Sequence, residues 1–81
     1  MREGLVDAIA GALAVRRDRV RPDARLDALM RDSFDAVELV MILEERYAVD
    51  IDPTDLAGIE TVADIDAYID RHRPRGAGPQ A

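Results

Sequence analysis

Apolar residues recur along the chain at spacings of three and four, and that rhythm divides it into helices separated by polar turns. In "GLVDAIAGALAV", Leu5, Val6, Ile9, Ala12 and Leu13 share one side of a helix over roughly residues 3–15, with Gly11 a minor weakness. Charges then cluster in "RRDRVRPDAR", where Pro22 and Asp23 favour a turn, so a long loop follows, pinned by Val20, Leu26 and Leu29. The strongest helical string, "FDAVELVMILEERY", predicts a second helix from Ser33 to Tyr47, with Asp32 or Ser33 at its N-cap. "AVDIDPTDLAGIE" reads as a turn that contains one short helical turn in "PTDLAG", closed by Gly58. Thr61 and Asp64 have the spacing of a capping box ahead of a last helix to about His72, whose stripe is Val62, Ile65, Tyr68 and Ile69. Residues 1–73 are therefore expected to form one domain, and "PRGAGPQA", 74–81, a disordered tail with nothing to bury.

Eighty-one residues allow one modest core and no second domain. With 48% hydrophobic but only 4% aromatic residues, that core is built from Leu, Val, Ile, Ala and Met, a mixture that favours an all-α fold.

The second helix carries more apolar surface than one core requires. On a wheel of about 100° per residue, Ala36, Leu39, Val40, Leu43 and Tyr47 share the arc that a small bundle buries. Phe34, Val37 and Met41 form a second stripe off that arc, and Asp35, Glu38 and Glu45 fill the sector beside it. Either neighbours nearly encircle the helix, or the stripe is an exposed patch rimmed with carboxylates. Encirclement is hard to achieve in so small a bundle, so the exposed patch is the expectation carried forward, and such a patch is a docking surface.

Charge and residue types narrow the chemistry. Seventeen acids against eleven bases, all of them arginine, give a net charge of −6, which repels nucleic acid and anionic membranes and suits basic protein partners. The absence of cysteine removes disulfides, thiolate chemistry and cysteine zinc sites. No apolar run reaches membrane-spanning length and Glu3 and Asp7 interrupt any leader-like stretch, so a cytoplasmic chain with no membrane span is expected. Ser33 has two readings: a helix cap, or a group to be modified, since a helix N-terminus stabilises an attached phosphate while Asp32 and Asp35 oppose it. Nucleophilic catalysis by Ser33 lacks a base, because the only histidine, His72, ends the last helix. Asp50, Asp52 and Asp55 lack the glycine and distal glutamate of a calcium loop and read as a solvated turn. The "RRDRVR" run reads as a solvated loop rather than a phosphate site. No metal site is expected.

"DSFDAVELVMILEERYAVDIDP" followed by "IETVADIDAYI" resembles the acyl carrier proteins, with an Asp-Ser-Leu-like motif opening the second helix, an acidic continuation, a proline-bearing turn and a late helix. The resemblance covers about residues 5–72. It implies a four-helix bundle whose short third helix lies around Thr54 to Gly58, and a carrier that catalyses nothing alone. It further implies that Ser33, after the motif residue Asp32, carries 4′-phosphopantetheine in a phosphodiester, the arm's thiol holding an acyl thioester. By the same resemblance Asp35, Val37, Glu38, Met41, Glu44 and Glu45, with Phe34 beside the arm, face basic patches on partner enzymes. Those would be a phosphopantetheinyl transferase, then a ketosynthase, acyltransferase or acyl or aminoacyl ligase, visited by a monomer. Val40, Leu43, Ile59, Val62 and Ile65 are the expected lining for a cargo chain held in the core. The chain departs from the family pattern at Phe34, where leucine is usual, at Met30 and Arg31, where "GA" is usual, and at Ile42, which adds apolar surface near the acidic sector. A free-standing acyl carrier of fatty acid, polyketide or related biosynthesis is the expectation. An aminoacyl or peptidyl carrier of a specialised pathway and an unmodified helical adaptor are the alternatives.

Overall fold

The structure is a computed structural model that describes residues 1–72; the expected tail lies outside the described residues. It contains α1 (Leu5–Leu13), a 3-10 turn (Arg17–Arg19), α2 (Leu26–Leu29), α3 (Ser33–Tyr47), α4 (Pro53–Leu56) and α5 (Val62–Arg71). The all-α expectation holds. Three long helices and the short helix before Gly58 occur where the pattern placed them, and α2 is an additional single turn inside what the sequence suggested was loop.

The core collects the stripes of the three long helices. Leu5, Ile9 and Leu13 of α1, Leu39 and Leu43 of α3, and Val62, Ile65, Tyr68 and Ile69 of α5 are all buried. Val20, Leu26 and Leu29 pin the first loop from one side, and Val49 and Ile51 pin the second. Ile42 packs against this core as a half-buried side chain, so it does not enlarge the outer apolar stripe as expected.

Helix ends follow from local backbone chemistry. α1 is shorter than residues 3–15 because Gly4 before it (φ 84°) and Ala14 after it (φ 57°) both lie in the left-handed region. α3 ends the same way at Ala48 (φ 54°). Pro53 opens α4 at the position where a missing N–H costs nothing, behind an Asp52 cap. The loop from α1 to α3 is stitched to the start of α5: Leu26 N donates to Glu60 O (2.9 Å), Val62 N to Ala24 O (3.1 Å) and Ala63 N to Pro22 O (2.8 Å). These bonds let the four residues of α2 stay helical where propensity alone would fail. At the opposite end, Arg2 donates through Nε to Asp66 (2.7 Å) and through Nη2 to Asp70 (3.1 Å), and Tyr47 OH donates to Glu3 O (3.3 Å).

The aspartates of the second loop are engaged in the fold. Asp52 Oδ1 accepts from Thr54 N (2.9 Å) and Thr54 Oγ1 (2.8 Å), and Asp55 accepts from Tyr68 OH (2.8 Å). In "RRDRVR", Arg16 pairs with Asp18 and Arg17 with Asp7, each among exposed side chains. Among the described residues no helix is long and apolar enough to cross a membrane.

Candidate functional site

α3 begins with Asp32, not Ser33, as its cap. Asp32 Oδ1 accepts from Phe34 N (3.1 Å) and Asp35 N (3.2 Å), filling two of the donors that every helix start leaves open. Ser33 therefore occupies the first helical position, exposed, and capping is not its role. Neither its hydroxyl nor its backbone N–H has a hydrogen-bond partner among the described residues. A hydroxyl oxygen is thus presented to solvent beside an open amide at the positive end of a fifteen-residue helix dipole.

The second stripe of α3 is exposed. Phe34, Val37 and Met41 are 65%, 53% and 59% accessible, far above any core position on the same helix. Glu38 and Glu45 stand exposed beside it and form no ion pair among the described residues. The encircled-helix alternative is thereby removed: α1 and α5 cover only the inner arc.

Two acids assigned to that surface are elsewhere. Asp35 is buried, the one charged side chain so placed among the described residues. Its Oδ2 accepts from Arg31 N (2.8 Å) and Arg31 Nε (3.1 Å), and its Oδ1 from Arg31 Nη2 (3.3 Å). The Arg31 guanidinium, followed by the Arg31 amide, holds this carboxyl below the usual carboxylate range. The same guanidinium reaches Leu13 O (3.4 Å) at the end of α1. A wheel gives azimuth only, whereas a third-position side chain in a first turn can fold back onto the amide that precedes the helix. Glu44 is also diverted: it is half-buried and its Oε2 accepts from Ile51 N (3.0 Å), bracing the loop after α3.

The stripe borders an apolar groove of about 210 Å³ between α3 and the α4 region, lined by Ala36, Val37, Val40, Met41, Ile51 and Leu56. Behind it lies an internal void of only about 20 Å³. That is room for about one water. Val40, Leu43, Ile59 and Ile65 line the void as expected, with Leu39, Ile69 and the Tyr68 ring. Val62 is fully buried in the same core but does not line the void. Val40, Ile51 and Leu56 are shared by groove and void, so they form the wall between them. Ile51 and Leu56 could not be assigned to this wall from the sequence, because their loop and short helix have no period long enough to show a face.

Comparison with known proteins points the same way. A family model described as "Phosphopantetheine attachment site" matches residues 3–69. The acyl carrier protein of Syntrophobacter fumaroxidans is 42% identical over 74 residues, covering 90% of this chain and 91% of that protein. The acyl carrier protein of Helicobacter hepaticus is 36% identical over 72 residues, 88% of this chain and 95% of that one. That of Clostridium perfringens is 38% identical over 73 residues, 89% and 96% respectively.

Proposed function

The chain belongs to the phosphopantetheine-attachment family of acyl carrier proteins, and from that premise we propose that Ser33 is its attachment residue and that it holds acyl intermediates of fatty acid, polyketide or related biosynthesis. It is a carrier and not an enzyme. Covalently attached 4′-phosphopantetheine supplies the terminal thiol, which a chain without cysteine lacks, and with it the thioester chemistry.

The observation that supports Ser33 is its freedom. The hydroxyl is exposed and has no partner among the described residues because Asp32 caps the helix in its place, so a modifying enzyme can take it without breaking a bond described in the fold. An anionic diester there would face the open Ser33 amide and the helix dipole, both favourable, at the cost of proximity to Asp32. Phe34, Val37 and Met41 would supply the apolar contact to partner enzymes, and Glu38 and Glu45 the steering charge, a combination that gives fast and weak docking. A flexible arm then raises the effective concentration of cargo at each enzyme visited. The groove along Val37, Val40 and Met41 suits an alkyl chain better than an aminoacyl group. At about 210 Å³ it exceeds the ~150 Å³ apolar cavity that accommodates a benzene-sized ligand. The compartment proposed is the cytoplasm.

Incubation with coenzyme A and a phosphopantetheinyl transferase should add the mass of one phosphopantetheine, and Ser33→Ala should add none. A wild type left unmodified by several transferases, or a Ser33→Ala variant that still gains the mass, would overturn the assignment. Competitive loading of the holo protein with acyl and aminoacyl donors separates an acyl carrier from an aminoacyl or peptidyl carrier.

A further inference from the structure

Arg31 is close to Ser33 in sequence, yet its guanidinium is engaged with α1 and with Asp35. The pair is asymmetric: the Asp35 side chain is 7% accessible and the Arg31 side chain 68%. Both Asp35 oxygens are filled by Arg31, one of them twice, and the guanidinium also bonds Leu13 O. A carboxylate that helical geometry places in the acidic sector has thus been withdrawn from solvent, and an exposed cation covers it. Among the described residues, Glu38 and Glu45, further along α3, have no such cover.

We propose that Arg31 is a specificity-determining residue, which masks Asp35 and shows positive charge at the start of α3, two residues before Ser33, so that this carrier disfavours enzymes whose basic side chains approach the start of α3. The proposal rests on Ser33 being the attachment residue. Two effects act in one direction. A basic partner group loses the attraction of Asp35, because a buried carboxylate already holding three donors offers little to a fourth. It also meets the guanidinium itself, and a like charge placed where a wrong partner would dock is an efficient way to discriminate. Enzymes that bind along Glu38, Met41 and Glu45 instead escape the penalty.

Masking makes a prediction that simple charge counting does not. In Arg31→Ala the backbone amide at position 31 still holds Asp35 Oδ2, while Oδ1 loses its only donor among the described residues and opens to solvent. The value of Asp35 to a basic partner should therefore depend on whether Arg31 is present. The test follows transfer from coenzyme A to Ser33 by a phosphopantetheinyl transferase with a basic carrier-binding surface, at low and at high salt. The variants are Arg31→Ala, Asp35→Asn and the double substitution, each checked by thermal unfolding. Arg31→Ala should raise kcat/KM about five- to tenfold at low salt, through KM, with the gain lost at high salt. Asp35→Asn alone should stay within about twofold of wild type, but in the Arg31→Ala background it should cancel most of the gain. Arg31→Gln keeps a donor for Leu13 O and carries the same test if Arg31→Ala unfolds. Equal losses from Asp35→Asn in both backgrounds would overturn masking, because partners would then already read Asp35. So would a shift in melting temperature with no change in salt dependence, which would make the pair structural only. A wild type that is not modified at all would instead defeat the Ser33 assignment.

Discussion

Two helices of this protein begin with nearly the same chemistry and meet opposite fates. α5 starts at Thr61, whose hydroxyl accepts from Asp64 N (3.2 Å), while Asp64 Oδ2 accepts from Thr61 N (3.1 Å) and Glu60 N (3.0 Å). The next two amides, Val62 and Ala63, donate to Ala24 O and Pro22 O, so the whole first turn is consumed by the fold. α3 starts at Asp32 with an aspartate likewise three residues on, but Asp32 takes the Phe34 and Asp35 amides and Asp35 turns back to Arg31. Ser33 between them is left, among the described residues, with no partner for its hydroxyl or its amide. A capping arrangement can therefore close a helix end or hold it open, and the difference lies in whether the neighbouring loop supplies carbonyls. At α5 the 22–24 segment does so; at α3, among the described residues, no loop carbonyl accepts from the Ser33 or Phe34 amide.

The largest break in this comparison comes from removing the two hydroxyls. Ser33→Ala should abolish the mass gain with coenzyme A and transferase while moving the melting temperature by no more than about 2 °C, since the hydroxyl holds nothing in the fold. Thr61→Ala should do the reverse. A lost cap costs about 1 kcal/mol and lowers the melting temperature by about 4–8 °C, with modification of Ser33 intact by mass spectrometry. If Thr61→Ala slowed modification as strongly as it destabilised the fold, the two helix starts would not be independent.

Acid should expose the carboxylates at the starts of α3, α4 and α5. Asp64 is held below the usual carboxylate range by the Glu60 and Thr61 amides, Asp35 by the Arg31 guanidinium and amide, and Asp52 by the Thr54 amide and hydroxyl. Each is more acidic folded than unfolded, so each contributes stability that is complete above the unfolded value of about 4. That contribution is lost as pH falls from about 4 through the lower, folded values. Thermal unfolding followed by circular dichroism from pH 6 downward should show the drop, and Asp64→Asn should flatten it.

The smallest effect belongs to the other ends of the helices. Ala14 and Ala48 adopt φ of 57° and 54°, where a Cβ costs about 1 kcal/mol or more and glycine costs nothing locally. Set against the larger entropy of an unfolded glycine, Ala48→Gly should gain about 0.5 kcal/mol, or roughly 2–4 °C in melting temperature. No gain would mean that the left-handed geometry of Ala48 is less costly than its dihedral angles imply.

What could be read from the sequence was whatever a period or a cap encodes. α3 spans Ser33–Tyr47 because no breaker interrupts the string, and the exposure of Phe34, Val37 and Met41 follows from their angle to the buried arc. The Thr61–Asp64 box was legible for the same reason, its two partners being three residues apart. What escaped depends on residues that meet only after folding. α2 is four residues long and is held by Glu60 O, thirty-four positions from Leu26. Glu44 left the acidic face because the following loop brings Ile51 N to it, and Asp35 left it because Arg31 precedes the helix rather than lying on it.

The guanidinium over Asp35 also bears on reactivity. A thioester carried on a swinging arm is open to attack by amines, and a lysine has an ammonium that can lose its proton, most readily where surroundings are desolvated. An arginine stays protonated and does not acylate under such conditions. This sequence has no lysine and no cysteine: apart from its one histidine, its basic side chains are eleven arginines. The cation at the start of α3, two residues before Ser33, can thus steer or repel partners without becoming an acceptor for the cargo, whereas Arg31→Lys would place a latent nucleophile near the root of the arm.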